Sequence, residues 1–186
     1  MKKALFLLSS VLLLSSCSLK YDENVHAEDK IPELVFQETK MTRYESNAVS
    51  LEMTADAIEQ YKDSPETYAK KVEFSAYNNG ELSTKGSCGL LKTNTDSKIY
   101  ELYNDIKLFN QKEKVNFSAN VLRWNENSEQ LTSARGEMVE VQKEDASIRG
   151  TGFAASGVSK NFSFRGTVTG NIETNEKADS ESPSEN

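Results

Sequence analysis

The 186-residue chain carries 22 Lys and Arg against 29 Asp and Glu, a net charge of −7. No basic face is on offer, which argues against nucleic acid as a partner, because phosphate contacts need one. One His and two Cys give no cluster with metal-ligand spacing and no base beside a nucleophile, so the residues point to neither an enzyme nor a cofactor.

The N-terminal residues have the pattern of a targeting segment. Lys2 and Lys3 are followed by an apolar run over residues 4–14. That run is too short for a bilayer, which takes about 20 residues, and has the form of a secretory signal. Leu14-Ser15-Ser16-Cys17 then resembles a bacterial lipobox, which implies cleavage before Cys17 and acylation of its thiol. The alternative is a plain signal peptide with an incidental cysteine. Under the lipoprotein reading, 1–16 is the signal peptide and 17–30 a lipidated Cys with a polar tether. Acyl chains then hold the protein on a membrane, each buried CH₂ adding about 0.8 kcal/mol. Cys88 is left without a disulfide partner and reads as a small, partly buried side chain. His26, the only histidine, falls in the tether.

Residues 31–172 are long enough for one domain with a real core. Their apolar period is two. Val72, Phe74 and Ala76 alternate with Glu73 and Ser75, and Val115, Phe117, Ala119 and Val121 alternate with Asn116, Ser118 and Asn120. Val139 and Val141 flank Glu140. The longest run joins Phe162, Phe164, Gly166, Val168, Gly170 and Ile172. Such alternation places one face of a strand on a core and the other in water. "YNNGE", "NQKEK", "NENSEQ" and "QKEDA" are the hairpin turns between runs. Residues 55–68 suit either a helical turn or a loop, and Ser64-Pro65 favours the loop.

A loose repeat overlies the alternation. An apolar residue stands four before a small one at Leu51…Ala55, Leu82…Gly86, Val115…Ala119 and Ile148…Gly152, the small residues being 31, 33 and 33 apart. Fresh strands are expected to start at Val72, Ile106 and Val139. One unit of two or three strands cannot bury its apolar face alone, whereas stacked units share a core. A small residue belongs where a strand bends between packed layers and a larger Cβ substituent would collide. The last segment, "ETNEKADSESPSEN" over 173–186, has five acids and no large apolar residue, and is expected to be a disordered acidic tail.

The anchored N-terminus, the repeat near 32 residues and the late "IRGTGFAASG" together resemble the LptC family of lipopolysaccharide-export proteins, which share the LptA/OstA-like fold. The resemblance spans roughly 32–172 and also rests on "YKDSPETYAKKVEFSAYNNG" and "IYELYNDIKLF". It implies an all-β fold, a twisted open β-jellyroll of antiparallel strands built from about four repeats. It implies an interior trough for acyl chains, to which the alternation assigns Met53, Val72, Phe74, Leu108, Val115, Phe117, Val139, Val141, Phe162 and Phe164. It implies edge-to-edge docking, with ABC transporter permease subunits on one side and a periplasmic LptA-like protein on the other. The candidate partner edges are residues 34–39, with Leu34 and Phe36, and residues 163–172, with Val168 and Ile172. The expected cargo is lipopolysaccharide or a similar glycolipid. The expected place is the periplasm, held by the lipid anchor on the inner membrane. The lipobox departs from the family's usual transmembrane helix. From the residues alone, an ordinary β-sandwich lipoprotein that binds only proteins gives the same alternation. "GTGFAA" over 150–155 matches a dinucleotide fingerprint, but a strand follows it where a helix is required. Trp124 reads as packing, and Glu144-Asp145 as a solvated turn.

Overall fold

A computed structural model of the protein describes residues 31–157 and 161–172. The chain divides into two compact units between Ile31 and Pro32, and the fold is that of the second. Cys17, the tether and the acidic tail lie outside the described residues.

Among the described residues, twelve antiparallel strands form one sheet: β1 (Leu34–Glu45), β2 (Ala48–Gln60), β3 (Glu66–Asn78), β4 (Glu81–Asn94), β5 (Ile99–Asn110), β6 (Val115–Asn125), β7 (Gln130–Thr132), β8 (Met138–Lys143), β9 (Ala146–Thr151), β10 (Phe153–Ser156), β11 (Asn161–Phe164) and β12 (Val168–Ile172). Strands β1 to β6 pair in sequence order. Beyond β6 the sheet forks. Residues 123–125 of β6 pair with β7, which leads to β10 and β11, whereas residues 116–118 pair with β8, which leads to β9 and β12.

The fork is the visible end of a crease that crosses every long strand. Glu38, Lys71, Asn104 and Asp105 all have positive φ near mid-strand, between 48° and 64°. The β4–β5 and β5–β6 ladders slip register at the same level, between Ser87 and Leu90 and between Tyr103 and Ile106. Two residues bulge against their partner strand, the strand bends, and the sheet folds over on itself. Layer A holds residues 34–37, 57–60, 66–70, 90–94, 99–103 and 121–125, with β7, β10 and β11. Layer B holds the other strand halves, with β8, β9 and β12.

Gly152, with φ of 64°, is the corner where β9 of layer B becomes β10 of layer A. The next corner is Arg165–Gly166, whose amides donate to the carbonyls of Gly152 and Thr151 at 3.2 and 3.1 Å. A Cβ on Gly166 would collide with the Thr151 hydroxyl. This breaks the expected single strand over 162–172 into β11 and β12, which end different layers. Two other expectations are corrected. Residues 55–60 and 66–68 are strand, and only 61–65 turn. β3 and β5 start at Glu66 and Ile99, six and seven residues ahead of Val72 and Ile106.

Candidate functional site

Residues opposite one another in an antiparallel ladder share a face, so the register lines up the interior row by row. In layer B one row runs Met41, Met53, Phe74, Gly86, Leu108, Phe117, Val141, Ile148 and Gly170. Beside the crease another holds Ala55, Val72, Cys88, Ile106, Ala119, Val139, Gly150 and Val168. In layer A the corresponding row is Phe36, Ile58, Ala69, Leu91, Leu102 and Leu122, continued by the pair Phe153 and Phe164. Every apolar side chain that is fully covered belongs to these rows.

The layers meet across the interior. Phe153 of layer A is 1% exposed and packs on Phe117 of layer B, ring centroids 5.7 Å apart. Phe162 and Phe164 complete the cluster, at 6.1 and 5.5 Å from Phe153. Gly150 gives the Phe164 ring its place, since a Cβ there would stand 2.7 Å from Cδ1. Away from the crease, the Tyr100 hydroxyl donates to Glu126 at 2.8 Å and Lys98 approaches the same carboxylate at 3.3 Å. The hydrogen bond from Tyr100, with help from Lys98 and the nearby Arg43, holds Glu126 below the ordinary carboxylate value. Arg43 comes from layer B and the others from layer A, so this cluster closes the side of the fold opposite the crease.

Both ends of the rows are open. Among the described residues, β1 pairs only with β2, β11 only with β10, and β12 only with β9. Each therefore keeps one row of backbone groups unpaired in the sheet. The apolar side chains there are exposed: Leu34 49%, Phe36 47% and Met41 39% at one end, Phe162 41%, Val168 48% and Ile172 75% at the other. Between the ends the interior is filled by its own side chains, with Val72 and Val139 at 1% and 0%.

The residues expected to line the trough fall on several rows. Met53, Phe74, Leu108, Phe117 and Val141 stand in one row, Val72 and Val139 lie by the crease, and Val115 is partly buried at the outer rim. Phe162 and Phe164 line layer A. The sequence reading missed Ile58, Ala69, Leu91, Leu102, Leu122 and Phe153, the inward residues of layer A. Cys88 is 5% exposed, and burial pushes its thiol up to about 11, which leaves it inert near neutral pH.

An all-β, open antiparallel sheet folded around an apolar interior is a β-jellyroll. Residues 4–173 match the family described as lipopolysaccharide-assembly, LptC-related, and the chain belongs to that family. Membership connects it with lipopolysaccharide transport. The chain is also 25% identical over 174 residues to an uncharacterized protein of Treponema pallidum (strain Nichols), covering 89% of this chain and 86% of that one.

Proposed function

We propose that the protein is a lipid-transfer bridge held on the membrane by an acylated Cys17, with its body in the periplasm. It receives lipopolysaccharide or a similar glycolipid at the β1 edge, from the permease subunits of an inner-membrane ABC transporter. It releases the lipid at the β11/β12 edge to an LptA-like periplasmic partner. The reading rests above all on one observation: the inward apolar rows run unbroken across the sheet to exposed apolar side chains at two unpaired edges.

The physics suits a moving cargo. Each acyl CH₂ taken from water gains about 0.8 kcal/mol without directional demand. Similar sites in sequence therefore let a chain slide, where one tight pocket would trap it. The filled interior means that loading must part the layers, with the lipid replacing the contacts they give up. The same filled interior favours a second reading, a β-sandwich envelope lipoprotein that docks proteins along its edges and carries no lipid. A photocrosslinking residue at Phe117, and separately at Asn116, decides between them, because strand neighbours face opposite ways. Lipid adducts from Phe117 alone support the bridge. Equal labelling at both positions, or none at either, favours the filled sandwich.

A further inference from the structure

The outer face of layer B, turned away from the apolar interior, is concave. It forms a depression of about 750 Å³ reaching from Lys40 on β1 to Gln142 on β8. Its floor is polar. One outward row reads Glu52, Ser75, Lys85, Phe109, Asn116 and Gln142, and its neighbour Lys40, Thr54, Glu73, Ser87, Lys107 and Ser118.

The lysines here, like Lys62, Lys112, Lys114 and Lys143, stand outside the ion pairs of the described residues. On layer A and at the crease, Lys70 pairs with Glu59, Lys71 with Asp56, Lys92 with Glu66 and Lys98 with Glu126. In the depression Lys40, Lys85 and Lys107 make no ion pair with a described residue. Their cross-strand neighbours are hydroxyls and a ring: Thr54 beside Lys40, Ser75 and Phe109 beside Lys85, Ser87 and Ser118 beside Lys107. Opposite charges across a ladder would stabilise the sheet, and here they are missing. The depression holds three lysines against two glutamates, and the Tyr77 hydroxyl already donates to Glu52 at 2.7 Å. A locally positive hollow on an acidic protein calls for an anion.

Its length calls for more than a small one. From β1 to β8 the depression crosses seven strands, roughly 29 Å at about 4.8 Å spacing, the reach of an extended oligomer. Hydroxyls and amides at near-regular intervals suit sugar hydroxyls, and Phe109 offers a ring for a sugar face. We propose that the outer face of layer B binds an acidic oligosaccharide, with Lys85 and Lys107 holding its negative groups and Asn116 and Gln142 its hydroxyls. This does not depend on the lipid-bridge reading, because Lys85, Lys107, Asn116 and Gln142 stand on the other side of the strands from the interior row.

The test is calorimetric binding of tetragalacturonate to the full chain in detergent, with maltotetraose as neutral counterpart. The acidic probe is expected to bind at least tenfold tighter, and Lys85→Gln/Lys107→Gln to abolish that preference. Lys70→Gln/Lys92→Gln, the same charge change on layer A, is expected to stay within twofold of wild type. Indifference to sugar charge overturns the proposal, as does unchanged binding by the first double variant or displacement by inorganic phosphate at equal concentration. If the double variant melts earlier, amide-shift mapping on the wild type decides. Shifts at residues 85–87, 107–109 and 116–118 support the site, and shifts elsewhere refute it. A lipid-linked form of the same sugar should bind no tighter. A tighter form that loses its advantage in Phe117→Asp would move the ligand to the interior.

Discussion

Gly86 sits in the central interior row between Phe74 and Leu108. A Cβ there would reach into the Phe74 ring, 2.6 Å from Cε1, and stand 2.7 Å from Leu108 Cδ2. Both distances lie well inside van der Waals contact, so Gly86→Ala forces the ring out of its place over the strand. Overpacking of this kind costs about 1–3 kcal/mol. For a domain this size that lowers the melting temperature by about 2–4 °C per kcal/mol. The cost is expected to depend on the ring. Phe74→Leu alone is also destabilising, but Gly86→Ala/Phe74→Leu should be more stable than the sum of the two losses by about 0.5–3 kcal/mol. Urea unfolding of the four proteins gives the cycle directly. Additive losses, or a Gly86→Ala protein as stable as wild type, would refute the packing described for this row.

Cys17→Ala is expected to yield a folded protein that leaves the membrane fraction, and its persistence there after a high-salt wash would contradict the lipid anchor. Gly152→Val places a β-branched residue at φ of 64°, and should cost at least about 1 kcal/mol at the corner joining the layers, read by the same urea midpoint. Glu66 is held below the ordinary carboxylate value chiefly by its hydrogen bond from Lys92, and Glu126 by its hydrogen bond from Tyr100. Depressed carboxylates contribute stability that is present above 4.5 and lost as pH falls through the folded value. Stability should therefore decline on acidification below that point, and Glu126→Gln should flatten the decline. Cys88 should resist thiol alkylation at pH 8 in the native state and react on unfolding. Rapid native labelling would contradict its burial.

The alternation revealed layer B because its strand halves keep a strict period of two from the crease outward, as in Val72–Phe74–Ala76 and Val115–Phe117–Ala119. Layer A stayed hidden because the crease breaks phase. Inward positions step by three across it, from Ala55 to Ile58, Ala69 to Val72, Cys88 to Leu91, Ala119 to Leu122 and Gly150 to Phe153. A reader following period two past the crease turns the second half inside out. Composition does not flag the bend, since Glu38, Lys71, Asn104 and Asp105 take positive φ without being glycine. The repeat near 32 residues was legible because it is one hairpin long. Its small residues fall on β2, β4 and β6 and at the β9–β10 corner, every second long strand. Gly86 and Gly152 are small for reasons the structure supplies, a ring to accommodate and a left-handed corner. The break in 162–172 was not legible, because the corner at Gly166 preserves the alternation on either side of it.

The central claim is passage of a lipid from one edge of the sheet to the other, and time-resolved photocrosslinking along the interior rows tests it most directly. Crosslinkers at Met53, Phe117 and Phe162 report the β1 side, the middle and the β11 edge, with Thr54 and Asn116 as outward-facing controls. After transport is started in cells, lipid adducts are predicted at Met53 first, then Phe117, then Phe162, with neither control labelled. Simultaneous adducts at all positions, adducts at one edge only, or labelling of the outward controls would contradict passage through the interior.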